Sequence, residues 1–408
     1  MQSTLRFQWH PDARMYAADC QISPQAATGE GFAMVKTHPP ARALAELGQT
    51  LRAGRPFCLV DSAPPTRISA PPGWFMTQSG GSSGRPKLIR RRQSSWIASF
   101  EVNTKRFALR PADQVAVLGG LAHSLALYGV LEALHLGADA HVLSGLAPSR
   151  QANLMAKAKV TVLYATPTQI RMLAATRTSL PHLRLILCGG GALDAATRQI
   201  ARTRFPNAAL HVFYGTAETS FVSLAGEDAP HGSVGRAYPG VALEIRDPRG
   251  DPVSGPGEVW VRSPYLCDGY DGGGSDLVIC QKGFVSTGEI GQVDGDGLLW
   301  LKGRRDRMIT VGDVNAFPET VEDLIAAMPG VAHCAVLPRP DPRRGQHLVA
   351  VVAGQKETGL SLRIRDGCRA SLGATLTPKH VLFHPAFPLL TSGKSDLVAL
   401  AHWVEERS

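Results

Sequence analysis

Short apolar runs alternate with longer helix-like segments between about residue 70 and residue 225 of this 408-residue chain. The runs predict strands at 115–118, 140–143, 160–165, 183–188 and 210–214, and the segments predict helices at 148–159, 167–176 and 194–205. A helix-like run at 41–52 and a strand-like run at 57–61 precede them. Strands that alternate with helices favour an α/β fold with a largely parallel sheet.

The pattern changes after about residue 225. Residues 231–302 are dense in Gly and Asp, and short runs at 241–246, 257–262 and 297–301 predict small antiparallel strands. Further on, strands at 335–337 and 347–352 and a helix at 318–327 predict a compact α+β segment. We therefore predict a large α/β domain at 1–305, with a β-rich subdomain at about 230–302, and a small α+β domain at 306–408.

Composition narrows the class of protein. Hydrophobic residues make up 44% of the chain and charged residues 19%, which is typical of a soluble globular protein. The net charge of +9 suits a polyanionic partner such as nucleic acid, a nucleotide, coenzyme A or an acidic carrier protein, but it also fits a surface that only aids solubility. The absence of a basic-aromatic platform or zinc module makes nucleic acid the least favoured partner.

Cysteine usage and hydropathy indicate the cellular setting. The seven cysteines include no C-x-x-C pair, which favours reduced thiols and a cytoplasmic location. The N-terminus lacks the apolar core of a signal peptide. The uncharged run at 115–131 contains Gly119, Gly120, His123 and Ser124 and falls short of the about 20 apolar residues that a membrane span needs. We interpret it as a buried strand and helix.

Residues 76–87, Met-Thr-Gln-Ser-Gly-Gly-Ser-Ser-Gly-Arg-Pro-Lys, form the most informative segment. Glycines let backbone N–H groups turn toward an anion, while hydroxyls and a lysine add donors and positive charge. The expected phosphate-binding residues are Ser79, Gly80, Gly81, Ser82, Ser83, Gly84 and Lys87. The spacing is not that of a Walker loop. A flexible Gly/Ser linker is the alternative. The strand-like residues 74–76 before the segment and Lys87 at its end argue against a linker.

Two strand ends carry further candidate residues. In the segment 187–192, Gly190 and Gly191 let a flat ligand approach the backbone, although a simple strand-to-helix turn is the alternative. In the segment 213–218, an aromatic ring suits an adenine, a hydroxyl suits a phosphate and a carboxylate suits Mg²⁺. The candidates there are Tyr214, Gly215, Thr216 and Glu218, and a surface glutamate is the alternative for the last of them.

The loop at 76–87 resembles the signature loop of the adenylate-forming superfamily, which holds acyl- and aryl-CoA ligases, peptide-synthetase adenylation domains and luciferases. Ser79 and Gly80 stand where that family usually has threonine and serine. Further motifs follow in the family's order from about residue 75 to 400. The resemblance implies ATP and Mg²⁺ as cofactors, a carboxylic acid as substrate and an acyl-adenylate as product, with Ser79 and Glu218 at the metal.

Later motifs extend the resemblance. The segment 213–218 is similar to the family's aromatic-Gly-x-Thr-Glu motif, with Ala217 where threonine is usual. Glu289 stands where an aspartate normally binds both ribose hydroxyls, and Arg304 would also reach the ribose. Asp306 occupies the family's hinge position, and the resemblance implies that 306–408 form a mobile lid. Lys394 matches the catalytic lysine that bridges the carboxylate and the α-phosphate, although alone it would be interpreted as a surface lysine.

The resemblance also bears on the acid and its acceptor. Residues 120–128 contain no acidic residue to pair with an α-ammonium, and His123 stands where acyl- and aryl-CoA ligases have a catalytic-site histidine. This implies a fatty or aromatic acid, although a core histidine is the alternative. The acceptor would be the thiol of CoA or of a carrier protein's phosphopantetheine. Arg90, Arg91 and Arg92 could meet a 3′-phosphate or an acidic carrier, or form a solvated charge run.

We therefore predict an acid–thiol ligase that forms an acyl-adenylate and transfers the acyl group to a thiol, with CoA favoured and a homodimer possible. One alternative is a ligase that loads only a carrier protein. Another is a catalytically silent binding relative, suggested by Ala217, by Glu289 and by the short stretch of about 75 residues before the phosphate loop. The presence of both Lys87 and Lys394 argues against a catalytically silent protein.

Overall fold

The computed structural model describes most of the 408 residues. The described residues are 5–23, 30–61, 68–78, 87–230, 232–271, 282–311, 314–342, 345–355, 357–390 and 395–407. Within them, no helix is long and apolar enough to cross a bilayer. The six described cysteines are all free thiols.

Strands and helices alternate through the first part of the chain. The strands are β1 (Met15–Ala17), β2 (Cys20–Ile22), β3 (Ala33–Lys36), β4 (Phe57–Val60), β5 (Trp74–Gln78), β6 (Leu88–Arg92), β7 (Gln114–Val117), β8 (Asp139–Val142), β9 (Val162–Ala165), β10 (Leu185–Cys188) and β11 (Ala209–Tyr214). The helices are α1 (Pro40–Arg52), α2 (Gln93–Arg106), α3 (Ser124–Leu136), α4 (Pro148–Lys157), α5 (Pro167–Ala174) and α6 (Ala195–Arg204). Strands β4, β9 and β10 are buried along their whole length, which explains their continuous apolar sequences.

Six of these strands form a parallel array in the order β1, β8, β7, β9, β10 and β11. The predicted α/β fold with a largely parallel sheet is therefore confirmed. The run at 115–131 is the buried strand β7 followed by helix α3, as predicted.

The next six strands are antiparallel. They are β12 (Ser223–Ala225), β13 (Ser233–Ala237), β14 (Ala242–Arg246), β15 (Gly257–Arg262), β16 (Val285–Val293) and β17 (Leu298–Arg304). Strand β12 pairs with β11 on one side and β13 on the other, so the β-rich region continues the parallel array. Together they make one sheet of 13 strands among the described residues. Strand β17 ends at Arg304, two residues before the predicted hinge residue Asp306.

A smaller sheet holds the base of the phosphate loop. Its order is β3, β4, β5 and β6, and the last two strands pair antiparallel from Trp74↔Arg92 to Gln78↔Leu88. Residues 76–78 of the predicted loop belong to β5, while residues 79–86 lie outside the described residues. The interpretation of residues 90–92 as a solvated charge run is wrong for Arg91, which is fully buried in β6, whereas Arg92 of the same strand is exposed.

The C-terminal part has its own sheet and core. Its elements are β18 (Ile309–Val311), β19 (Val314–Ala316), α7 (Pro318–Ala326), β20 (Cys334–Asp341), β21 (Gly345–Ala353), α8 (Thr358–Leu372), β22 (His380–His384) and α9 (Leu397–Glu405). Strands β20, β21 and β22 form a sheet, against which Val321 and Ile325 of α7 and Ile364 of α8 pack in one buried cluster. The fold class is thus confirmed, while the boundary at 305/306 stays a prediction.

A buried polar cluster centres on Glu132 of α3. The Tyr164 hydroxyl donates to one carboxylate oxygen, and the Asn103 amide donates to the other at 2.9 Å. The Tyr238 hydroxyl donates to the Asn103 carbonyl oxygen at 2.7 Å. Burial raises the pKa of Glu132 from 4.5 to about 7, because the ionised form loses its hydration while these donors offset only part of the loss.

This raised pKa predicts a pH-dependent stability. The folded state binds the Glu132 proton more tightly than the unfolded chain does. The contribution of this proton to the free energy of unfolding is therefore complete below pH 4.5 and is lost as the pH rises through about 7. The expected loss is roughly 3 kcal/mol of unfolding free energy. Urea titrations between about pH 5 and pH 8 should show a shallower dependence in Glu132→Gln. The exposed-site control Glu101→Gln should follow the wild type, and equal slopes in all three proteins would contradict the assignment.

Candidate active site

The parallel strands bring several predicted residues to one edge of the sheet. Strands β7, β9, β10 and β11 are neighbours, so the segments after their carboxyl ends meet there, where open α/β sheets bind ligands. His123 lies at the start of α3 rather than inside it, half-buried, with its ring beside Gly120. Gly190 has a φ of 85°, a left-handed conformation that favours glycine. A Cβ there would still lie 3.7 Å from Thr166, so glycine is required by the backbone.

The segment after β11 is a tight turn that orients Glu218. The Thr216 hydroxyl oxygen accepts the backbone N–H groups of Glu218 and Thr219, each at 3.2 Å. A Cβ at Gly215 would lie 1.7 Å from the Ser220 carbonyl oxygen, so only glycine fits this position. Thr216 therefore organises the turn, and its contact with phosphate stays a prediction.

Glu218 meets the described end of the phosphate loop through Tyr270. The Tyr270 hydroxyl donates to Glu218 Oε1 at 3.0 Å, and Lys87 Nζ lies 5.1 Å from the centre of the same ring. The backbone of Tyr270 pairs with Ile89 of β6. Lys87, Tyr270 and Glu218 thus form one charged cluster, while Ser79, Gly80, Gly81, Ser82, Ser83 and Gly84 lie outside the described residues.

The cluster fits a magnesium–phosphate ligand. No group of three or more His, Cys, Asp or Glu side chains that could hold a metal occurs within the described residues. Mg²⁺, however, is commonly held by one or two carboxylates together with substrate phosphates and waters. Glu218 could supply that carboxylate, and Lys87 could supply charge to the phosphates.

Tyr214, Glu289 and Arg304 form a second group. Glu289 of β16 pairs with Arg304 of β17 across the strands. Burial raises the pKa of Tyr214 well above its usual range; the Glu289 carboxylate adds to the rise and Arg304 opposes it. The buried Tyr214 hydroxyl has no hydrogen-bond partner among the described residues, and the neighbouring Thr287 hydroxyl donates to the Val259 carbonyl. A polar ligand atom could satisfy the Tyr214 hydroxyl.

The predicted hinge residue, Asp306, forms an ion pair with Arg304, the predicted ribose-binding residue. Asp306 lies in the one-turn 3₁₀ helix Arg305–Arg307, and its carboxylate accepts from Arg304 Nε at 2.9 Å and Nη2 at 2.7 Å. Lys394 lies outside the described residues. The residues that flank it are described: Leu389 and Ser395 form an isolated β-bridge, and the Asp396 N–H donates to the Pro388 carbonyl at 3.1 Å.

The sequence reasoning missed Tyr270, which no motif marked. Its hydroxyl donates to one oxygen of Glu218, the predicted metal ligand, so Tyr270→Phe should raise the Mg²⁺ concentration required for half-maximal activity about tenfold, as is usual when a partner of a metal ligand is removed. Tyr265→Phe is the matched control, because that hydroxyl donates to the Pro239 carbonyl instead. An unchanged magnesium requirement in Tyr270→Phe would contradict this role for the hydroxyl.

Comparison with known proteins places this geometry in a family. Residues 41–271 match the AMP-binding enzyme family, and residues 320–394 match the AMP-binding enzyme C-terminal domain. The chain is 31% identical over 340 residues to the uncharacterized acyl–CoA ligase YhfT of Bacillus subtilis, a match that covers 82% of this chain and 69% of that protein. It is 28% identical over 338 residues to the indoleacetate–CoA ligase of Aromatoleum aromaticum, covering 78% of this chain and 64% of that protein.

Solved structures agree on the fold. ATP-bound MatB from Rhodopseudomonas palustris superposes with a TM-score of 0.82 at 20% identity, covering 97% of this chain and 96% of that one. The amide bond synthetase McbA from Marinactinospora thermotolerans superposes with a TM-score of 0.74 at 25% identity, covering 92% and 80%. The sequence match over more than half of the residues, supported by this shared fold, shows that the chain belongs to the AMP-binding enzyme family.

Proposed function

We propose that the chain is an AMP-forming acid–thiol ligase. In the first half-reaction, a carboxylate oxygen of the acid attacks the α-phosphorus of ATP, the bond to the β-phosphate breaks, and pyrophosphate leaves. In the second, the sulfur of a thiol attacks the acyl carbon of the adenylate, the bond to AMP breaks, and the thiol proton passes to solvent. CoA is the favoured thiol, because the two relatives compared above are named as CoA ligases.

The cluster of Lys87, Tyr270 and Glu218 carries this proposal. It sets a positive and a negative side chain at the closing end of the phosphate loop, which suits a triphosphate and its cation. When bound, Mg²⁺ would neutralise phosphate charge. The chain's own part is to orient Glu218 through the Thr216 turn and the Tyr270 hydroxyl.

The remaining residues have proposed roles around this cluster. Glu289 and Arg304 would bind the ribose, and the ring of Tyr214 would lie against the adenine. Gly190 and Gly191 would let the flat part of the ligand approach the backbone. Residues 1–305 would hold ATP and the acid, while residues 306–408 would rotate about Asp306 and bring Lys394 to the reaction centre.

The acid is proposed to be fatty or aromatic and to lack an α-amine. Residues 120–128, which include the first residues of α3, contain no acidic residue to pair with an ammonium group. His123 begins that helix at the ligand-binding edge of the sheet, where it could contact the carboxylate of the acid.

A pyrophosphate-release screen tests the proposal. Purified protein with Mg²⁺ and ATP is offered fatty acids, aryl acids and amino acids, each with and without CoA. We expect acid-dependent release with a fatty or aryl acid and an acyl-CoA product when CoA is present. Release with amino acids alone would overturn the substrate class, and no release with any acid would overturn the activity in favour of a silent binding relative.

The same screen separates the acceptors when CoA is replaced in parallel reactions by phosphopantetheinylated carrier proteins or by simple amines. An acyl-adenylate that forms but reacts only with a phosphopantetheinylated carrier protein would identify a carrier-loading ligase. A product formed only with simple amines would identify an amide-forming enzyme, the activity named for the structural neighbour McbA. Acyl-CoA as the main product would support the proposal as stated.

A further inference from the structure

Arg91 is a buried charge that the proposed reaction does not use. It lies within β6 and has a side chain with no solvent exposure. Its Nη1 group donates to the Tyr265 carbonyl at 2.8 Å, and its Nη2 group donates to the Ala217 carbonyl. The guanidinium also lies 5.8 Å from the centre of the Trp96 ring. Arginine is rarely buried completely unless it is paired, so this placement calls for a physical reason.

The charge of Arg91 is only partly compensated. Among the described residues, no carboxylate lies within ion-pair distance of its guanidinium, and its buried Nε has no acceptor. Burial lowers the pKa of Arg91, and the nearby Cys267, Glu218 and Asp268 oppose that shift. The contact with the Ala217 carbonyl places the guanidinium next to the backbone of Glu218, the carboxylate residue of the candidate site.

The two carbonyl groups that Arg91 holds belong to the two segments that frame Glu218. Ala217 directly precedes Glu218, and Tyr265 begins the segment that ends at Tyr270. The Cys267 N–H donates to the Glu218 carbonyl at 2.9 Å, which joins these segments a second time. Arg91 therefore bridges the turn that carries Glu218 and the segment that carries its hydroxyl partner.

Strand β6 connects the contacts of Arg91 with Lys87, the described end of the predicted phosphate loop. The Asp268 N–H donates to the Arg90 carbonyl at 2.9 Å, and the Arg90 N–H donates to the Gly269 carbonyl at 2.8 Å, so β6 is fixed to residues 268–269. The same strand begins one residue after Lys87. At the far end of the turn, Trp96 Nε1 donates to the Ser220 hydroxyl at 3.0 Å.

We propose that Arg91 is a positioning residue that sets the Glu218 carboxylate relative to Lys87. The guanidinium holds two carbonyl groups in a rigid fork, and its charge draws the Glu218 turn toward β6. The inference rests on the proposed role of Glu218 in binding magnesium and phosphate. It adds a residue that acts through the turn without touching the ligand.

Arg246 of β14 provides a matched control. It is also buried, with 4% of its surface exposed, and it lies 4.6 Å from the centre of the Trp260 ring. Its Nη2 group pairs with Glu244 at 2.6 Å, on the strand at the opposite end of the 13-stranded sheet from β1 and β2. Replacing either arginine removes a buried guanidinium, but only Arg91 bridges the two segments around Glu218.

The test compares Arg91→Met, Arg91→Lys and Arg246→Met in the full chain. Two quantities are measured: the Mg²⁺ concentration that gives half of the ATP-induced rise in melting temperature, and the same midpoint for pyrophosphate release. We expect Arg91→Met to raise both midpoints about tenfold to a hundredfold, the range found for residues that orient metal ligands. Arg91→Lys keeps the charge and one donor, so its midpoints should lie between those of Arg91→Met and the wild type. Arg246→Met should lower the melting temperature and leave both midpoints unchanged.

Each outcome decides the inference. Wild-type midpoints in Arg91→Met, or equal shifts in both methionine variants, would overturn it. If Arg91→Met does not fold, a wild-type midpoint in Arg91→Lys would overturn it. A wild type that is stabilised by Mg²⁺ and ATP but releases no pyrophosphate with any acid would refute the proposed function alone, because the binding midpoints still test Arg91. A wild type with neither response would overturn both.

Discussion

Lys394→Ala is expected to abolish acid-dependent pyrophosphate release while leaving acyl transfer from a preformed acyl-adenylate largely intact. The ammonium is proposed to bridge the carboxylate and the α-phosphate and to neutralise the charge that develops as the oxygen–phosphorus bond forms. Removing a donor aimed at developing charge typically costs about a hundredfold to a thousandfold in rate. The second half-reaction forms no new bond at phosphorus, so it does not require this group.

The two half-reactions can be measured separately. Pyrophosphate release reports the first, and acyl-thioester formation from synthetic acyl-adenylate and CoA reports the second. Lys379→Ala is the control, since Lys379 is another lysine of the C-terminal part and is paired with Asp341 at 3.3 Å. An equal loss of both half-reactions in Lys394→Ala would count against the division of labour between the two proposed domains.

Glu218→Gln is expected to raise the Mg²⁺ requirement and lower the rate of adenylate formation together, by about a hundredfold. The substitution keeps the size of the side chain and leaves an oxygen that can still accept the Tyr270 hydroxyl. It removes the negative charge, and magnesium strongly prefers charged oxygen ligands. The turn should therefore persist while the affinity for the metal falls.

The expected result for Glu218→Gln is a rate that recovers in part at high Mg²⁺, with a melting temperature close to that of the wild type. Glu227→Gln serves as the control, because Glu227 accepts the Leu210 N–H at 3.3 Å away from the Glu218 cluster. A large drop in melting temperature without a change in magnesium dependence would assign Glu218 to folding alone.

The centre of the parallel array could be predicted because its strands are buried on both faces. The runs at 160–165 and 183–188 became strands Val162–Ala165 and Leu185–Cys188, which are buried at every position and start two residues later than predicted. Such strands need apolar residues along their whole length, which leaves a clear signal. Helix α8 was missed because Gly359 and Gly367 obscure it, although Leu360, Ile364 and Cys368 recur at the four-residue spacing of a buried helical face.

The site was only partly predictable for a different reason. Tyr214, Glu218, Glu289 and Arg304 lie in local motifs whose order is visible along the chain. Tyr270 acquires its place only through a contact with Glu218, 52 residues away, and no local pattern reports such a contact. The burial of Arg91 was equally hidden, because three consecutive arginines are typical of a solvated surface and only the pairing of β6 turns the middle one inward.

The ion pair between Asp306 and Arg304 sets a condition on the proposed rotation about Asp306. Two guanidinium nitrogens are committed to the carboxylate, at 2.9 and 2.7 Å, so those donors cannot serve a sugar hydroxyl at the same time. The Arg304 and Asp306 side chains are 44% and 63% exposed, and an ion pair that water reaches in this way is worth about 1 kcal/mol or less. Exchanging the Asp306 carboxylate for a sugar hydroxyl as the partner of Arg304 therefore costs little free energy in either direction. A nucleotide whose ribose binds Arg304 would release Asp306, and the departure of the nucleotide would restore the Arg304–Asp306 pair. The proposed hinge residue would therefore respond to whether the nucleotide site is occupied.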